Sequence, residues 1–518
     1  MGSDQAVRRL RAWHNGGPLP RYSTIHVPVA KHTDALALAF VRMAGESAPW
    51  GVAVGQRGGP PDIFTVPEAR NRGLVADMMA KLAPRLLAHF RQPAYSDAVT
   101  GPDDPLAVRQ LWLPNDSHLD MLHALAYAYT FTKWGDPARA HMLNALGRLC
   151  GWLFREAKRP GQVAVMSAAS VLRCAYTFPA DDLRQAHLGF LLAWLETRET
   201  RDERVVAAMQ AEQHSMSITL DPIIEREELE PRVERWNDAD KSGDAAVAAA
   251  EAAQIEGVLS RELIHRYMLT QRAIEIISND PRPVNAGVRQ LETEARREYW
   301  HQYIHAEQRR DDNDGKPVFT PSPETDRDAA AAASRYYVHE ASEAHRLTVL
   351  MHHDDDLQKE IIAKGTGLRG QIISVRDEGH GRKVIPVWVI RSDDRPLSVR
   401  PGSSLCVAGL SGREVRVRGI VKEEPGVLSI ELEVVKLVGS PHGRTDIRDA
   451  VDTWYVGKTV TLLPPDMATI PRLKAGKVWE RSAPGAWLTH SRPKGGRARL
   501  PEGVAENGEG PAGPENDQ

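Results

Sequence analysis

The sequence predicts a multi-domain α+β protein, and three observations carry that prediction. Short strand-like and helix-like runs alternate over residues 1–100. Apolar residues then recur every three or four positions through most of residues 106–363, the period of a helix with one buried face. After Gly365 the period falls to two, with Gly, Pro and Asp turns between short β-branched runs. The expected architecture is a small N-terminal α/β module, a helical bundle, a long-helix arm and a small C-terminal β-barrel of the OB or SH3-like kind.

In the module, "STIHVPVA" reads as a strand, "DALALAFVRMAG" as a helix closed by Gly45, and "WGVAVG" as a strand. Leu74, Met78, Leu82, Leu86 and Phe90 place one apolar stripe on a helix. Residues 106–200 hold four helical segments between Gly and Pro breaks, a bundle with short connections. Residues 201–364 form the arm. A charged bridge comes first, then a helix striped by Ile255, Leu259, Leu263, Tyr267, Ile274 and Ile277 and stopped at Asn279-Asp280-Pro281. A second helix is expected over roughly 285–310 and a third from about 326 to 363. Residues 365–438 carry five strands, "GQIISV", "VIPVWVI", "SLCVAG", "REVRVRGIV" and "VLSIELEVVKL". A basic extension over 439–500 and a disordered acidic tail over 501–518 complete the chain.

Composition narrows the function classes. With 42% apolar and 26% charged residues and a formal charge of −3, the chain is not a uniformly basic nucleic-acid coat. Cys150, Cys174 and Cys406 are far apart and form no CxxC pair, which argues against a disulfide framework or zinc ribbon and for a reducing cytoplasm. The N-terminus lacks a signal-peptide core, Ala6 breaks the myristoylation pattern, and no apolar run is long enough to span a membrane. No cofactor is expected.

The densest run of chemistry-bearing residues is "YYVHEASEAHRLTVLMHHDDD", 336–356. A zinc protease needs two histidines one helical turn apart, whereas His339 and His345 fall on nearly opposite sides of a helix. His345 and His352 share a face but stand about 10 Å apart, too far for one zinc ion. Arg346 with His352 resembles the spaced Arg/His dyad of HEPN-type ribonucleases, which would imply a metal-independent ribonuclease; Leu347 replaces the usual polar residue after the arginine. The competing expectation is the solvated side of a helix.

Three other patterns have structural explanations. Gly457-Lys458-Thr459 ends like a phosphate-binding loop, but Asp452 stands where a glycine is required and the chain continues as a strand. Asp116, Asp120 and His123 lie on one helical stripe, where N-capping by Asn115 or Asp116 and a local Asp–His pair account for them. Glu68 in "PDIFTVPEAR" is followed by Ala69 and Arg70, without the lysine of the nuclease pattern.

Partner binding is expected at the C-terminal end. Arg416 and Arg418 alternate with Val415 and Val417, so the arginines share the outer face of a strand. Arg369, Lys383 and Trp388 belong to the same segment. The extension adds Lys474, Lys477 and Arg481 interleaved with Trp479 and Trp487, a cationic groove with stacking platforms for single-stranded nucleic acid. Glu414, Glu423, Glu424, Glu431 and Glu433 oppose that charge and keep a protein-binding barrel open as the alternative. Long helices leading into a small barrel resemble the non-motor inserts of superfamily 1 helicases, and the ATPase blocks are absent. That resemblance implies a non-catalytic accessory subunit beside an ATPase, helicase or nuclease partner. A scaffold that binds proteins alone is the further alternative.

Overall fold

The computed structural model describes residues 3–21, 35–91, 109–131, 135–157, 164–197, 200–291, 345–379, 385–394, 399–409, 414–424, 426–436 and 455–464. In chain order the N-terminal elements are helix α1 (Ser3–His14) and strands β1 (Leu19–Pro20), β2 (Ala35–Arg42), β3 (Pro49–Gln56) and β4 (Asp62–Thr65). Helix α2 (Arg72–Arg91), strand β5 (Gln110–Leu113), and helices α3 (Ser117–Tyr129) and α4 (Pro137–Glu156) follow. Then come β6 (Val165–Ser167), α5 (Ala168–Ala175), β7 (Tyr176–Thr177), α6 (Leu188–Glu196), α7 (Arg201–Glu212), α8 (Glu230–Ser242) and α9 (Ala245–Ser278). Helix α10 (Asp355–Ala363) leads into strands β8 (Leu368–Asp377), β9 (Pro386–Ser392), β10 (Ser404–Val407), β11 (Glu414–Glu424), β12 (Val427–Lys436) and β13 (Thr459–Leu463). The fold is mixed α+β.

The sequence reading of "DALALAFVRMAG" as a helix is overturned. Residues 35–42 are the central strand of a five-stranded sheet ordered β4-β3-β2-β5-β6. Both faces of β2 are covered, so its sequence is apolar throughout and hides the strand period. The meander β2-β3-β4 is antiparallel, while β5 and β6 run parallel to β2. The division expected near residue 100 does not divide this sheet, because β5 and β6 come from the segment read as purely helical. One core runs from Ala35 to Ile277 and includes Phe40, Trp50, Trp112 and Trp194.

The arm over 201–364 also differs from expectation. The charged bridge is helical (α7, a π-helical turn over Ile224–Leu229, and α8). Helix α9 lies on the sheet rather than extending from it. A Cβ added to Gly51 would stand 2.9 Å from Leu263 Cδ1, and one added to Gly55 would stand 2.4 Å from the Tyr267 hydroxyl. Tyr267 donates to the Gly59 carbonyl and Gln271 to the Gln56 carbonyl, fixing the β3–β4 turn. Most of the expected second helix and the start of the third lie outside the described residues, as do the strand expected at "STIHVPVA" and the acidic tail.

The five C-terminal runs are strands β8–β12, and β13 joins them. Their pairings run β10-β11-β12-β9-β8-β13, and β13 returns to β10 through Cys406 and Leu463, which closes the sheet on itself. Closure needs a core, and Leu368, Ile372, Trp388, Ile390, Val415, Val417, Ile430, Leu432 and Leu462 fill it.

Candidate functional site

Two places concentrate polar chemistry: the carboxyl edge of the central sheet, and the outer face of the barrel. In open sheets with parallel strands, ligands bind beyond the carboxyl ends where the chain leaves in opposite directions from neighbouring strands. Here that point lies between β2, which continues into the antiparallel meander, and β5, which continues toward β6.

Strand β2 outruns β5. Pairing ends at Ala37 with Trp112, whereas β2 continues to Arg42. The Phe40 N–H on the uncovered side donates to His118 Nδ1 at 3.1 Å. The Arg42 N–H donates to the Ile218 carbonyl at 2.8 Å, and the Leu220 N–H returns to the Arg42 carbonyl at 3.3 Å. Residues 214–220 therefore fill the crevice. Met216, Ile218 and Leu220 are buried and alternate with half-buried Ser215, Ser217 and Thr219.

Side chains from four elements hold this segment. Asn115 donates to the Met216 carbonyl at 2.8 Å, and Ser117 Oγ accepts the Ile218 N–H at 3.0 Å. His187 Nδ1 accepts the Phe190 N–H, so its Nε2 carries the proton and donates to the His214 carbonyl at 2.9 Å. From α9, Arg266 Nε donates to the Ser217 carbonyl at 3.1 Å, and Nη1 to Glu262 Oε2 at 3.1 Å. The His214 and His265 rings lie 5.3 Å apart.

Two buried titratable groups meet there. Arg266 and His118 are both 0% exposed. Arg266 Nη2 has no hydrogen-bond partner, whereas the His118 ring meets the backbone of Met216. Burial first, and the Arg266 charge second, push the His118 imidazole down to about 3. Burial also lowers His187 and His265. His118 is thus a neutral imidazole beside the buried Arg266 guanidinium.

None of these residues stood out in the sequence except through "PNDSH". Recognising "QLWL" as a strand would have placed Asn115, Ser117 and His118 at a carboxyl edge. The capping expectation holds in part: Asn115 Oδ1 accepts the Ser117 N–H, whereas Asp116 makes no capping bond and instead accepts from Ser170. His123 stacks on Phe154 at 4.8 Å between ring centres.

The 336–356 run is not a solvated face over its described part. His352 is 2% exposed, beside an apolar cluster of Val288, Leu291, Val349 and Leu350. Arg346 is half-buried, and six positions place it about 240° around the helix from His352. A ring so enclosed presents no face to a phosphodiester. The aspartates act as connectors. Asp354 caps α10 and faces Arg21, Asp355 pairs with Arg369, and Asp356 pairs with Arg8. Among the described residues no three His, Cys, Asp or Glu side chains form a metal-binding group. Gly457 and Lys458 enter β13 as a turn at the head of a strand, Gly457 with φ of 98°.

The barrel face corrects two expectations. Trp388 is 0% exposed and points into the barrel, between Val375 and Leu432 on the flanking strands, so it offers no stacking surface. Arg418 is paired with Glu378, Glu431 and Glu433, and Arg376 with Glu378 and Glu431. Hydrogen bonding to Glu378, then to Glu433, raises the Arg418 pKa further. Three carboxylates therefore meet two guanidinium groups, on strands where Arg376 and Glu433 register with Val387 and Glu431 with Val389. Arg369 is held by Asp355 and Thr461. Arg416 remains exposed. Lys383, Lys474, Lys477, Trp479, Arg481 and Trp487 lie outside the described residues. Comparison with protein-family models, curated proteins and solved structures returns no match to this chain.

Proposed function

We propose that the chain is a non-catalytic interaction protein whose C-terminal barrel, of the small OB or SH3-like kind, docks a protein partner. The observation that carries this reading is the paired patch on the barrel face: Arg376, Arg418, Glu378, Glu431 and Glu433 satisfy one another, which withdraws two of the arginines a phosphate backbone would need. Apolar side chains stand exposed on the same body instead. Ile420 and Val421 project at a bulge of β11, and Ile373, Tyr455 and Val456 flank the turn into β13. The enclosed His352 speaks against the Arg346–His352 ribonuclease reading. The partner expected from the sequence is an ATPase, helicase or nuclease, and three free cysteines suit a cytoplasmic setting. No described helix is long and apolar enough to cross a membrane.

The test is co-purification of the full chain from its native host with its partner, against an Ile420→Asp/Val421→Asp variant. A partner at fixed stoichiometry with wild type and its loss from the folded variant are expected. Retention by the variant would remove the proposal. Single-strand binding is the second reading, and the composition of residues 439–500 favours it through Lys474, Lys477, Trp479, Arg481 and Trp487. It predicts oligonucleotide affinity that falls steeply with salt.

A further inference from the structure

We infer that the outer face of β9 and β12, between two β-bulges, takes an acidic peptide segment of the partner: a carboxylate flanked by apolar side chains. This rests on the reading of the barrel as a protein-docking body. In β11 the register steps from Ile420 opposite Ile430 to Lys422 opposite Ser429, so Val421 is left over. In β8 it steps from Ile372 opposite Ile390 to Ser374 opposite Val389, so Ile373 is left over. A bulge re-aims its extra side chain, and both extra residues here are apolar and exposed. Ile372, Ile390, Ile430 and Ile420 lie opposite one another in one row across four strands, so the two bulges face each other over β9 and β12. Three strand spacings separate them, about 14 Å.

The strip between the bulges has a charge as well as walls. Trp388 and Ile390 fill the interior, so alternation puts Val389 and Arg391 on the outer face. Val389 and Ser429 are buried although they face outward, so neighbouring side chains stand above them. Arg391 lies between Ser429 and Gln371, and Gln371 donates to the Gly457 carbonyl at 2.9 Å. Arg391 is exposed, and among the described residues no carboxylate pairs with it; Asp393 lies past the end of β9. Glu431, on the same strip, is held by Arg376 and Arg418. One open cation therefore stands between two apolar walls. An acidic peptide satisfies both features, whereas a phosphodiester strand satisfies only the charge. An extended segment crossing the strands, at about 3.3 Å per residue, covers the gap in about four residues. Its apolar side chains are then about four positions apart, with Asp or Glu between them.

The test is selection of random peptides displayed on phage against the full chain, with Ile420→Asp/Val421→Asp as the counter-selection. Enriched peptides are expected to carry Asp or Glu between apolar residues. A synthetic copy should bind wild type saturably in fluorescence polarisation. Arg391→Glu should weaken that binding by about tenfold or more, and Lys in place of the peptide's acid should restore it to the variant. Ile373→Asp should weaken binding to either peptide. Thermal unfolding checks that each variant is folded, and Arg391→Gln replaces Arg391→Glu if the latter is not. Enriched peptides without an acid, unchanged affinity in folded Arg391→Glu or Ile373→Asp, or a charge exchange that restores nothing would overturn the inference. So would no enrichment at all, or a thymidine oligonucleotide bound in place of any peptide. None of these outcomes decides the docking reading, which co-purification tests separately.

Discussion

At the scale of single residues, the buried histidines set the response to acid. His118 is pushed down to about 3 and His89 to about 4, chiefly by burial. Both are neutral in the fold, whereas the unfolded chain protonates near pH 6.5. The unfolded state therefore binds more protons below that pH, and stability falls as pH falls. The window runs from about 6.5 down to about 4 for His89, and on to about 3 for His118. Urea unfolding should show a loss on the order of 2 kcal/mol for each of the two between about pH 7 and 5. A flat profile over that range would contradict their burial as neutral rings. Trp388 offers a second residue test. Trp388→Ala should cost about 3–5 kcal/mol of barrel stability, read by urea unfolding, because the ring fills the interior. A cost near zero would place the ring outside.

At the scale of elements, close packing without room for a side chain makes the sharpest forecasts. Helices α3 and α4 cross where Gly147 meets the preceding turn. An added Cβ would stand 2.5 Å from the Thr130 nitrogen and 2.7 Å from the Tyr129 carbonyl carbon. Gly147→Ala should therefore destabilise by about 1–3 kcal/mol despite the better helix propensity of alanine, as thermal unfolding would show. A gain in stability would mean the helices are farther apart.

The same scale explains what could be read from sequence. The five barrel strands were legible as short β-branched runs between Gly, Pro and Asp turns, and in β11 Val415 and Val417 alternate with Arg416 and Arg418. Strand β2 was not, because "ALALAFVR" is covered on both sides and a continuous apolar run fits helix and strand alike. Strands β4, β5 and β6 escaped notice because they are only 4, 4 and 3 residues long. The crevice was illegible for a different reason. Its residues, Asn115, His118, His187, Ser217 and Arg266, are scattered over about 150 positions, and only the sheet order brings them together. Conversely, the dense 336–356 run looked chemical because charged connectors are clustered there. Asp354, Asp355 and Asp356 tie α10 to Arg21, Arg369 and Arg8.

At the scale of the whole molecule, the barrel carries the argument about function. A closed sheet leaves few unpaired backbone groups, so recognition has to come from its outer side chains and loops. On the described outer face Arg369, Arg376 and Arg418 are committed to carboxylates, while Arg391, Arg400 and Arg416 stay exposed alongside apolar Ile373, Ile420 and Val421. The most direct measurement is the mass and absorbance of the full-length protein isolated from its host at moderate salt, for wild type and Ile420→Asp/Val421→Asp. The account predicts a protein partner at constant ratio with wild type, no nucleic-acid absorbance, and a folded variant that elutes alone. Nucleic acid in place of a protein partner, or a partner that the variant keeps, would contradict it.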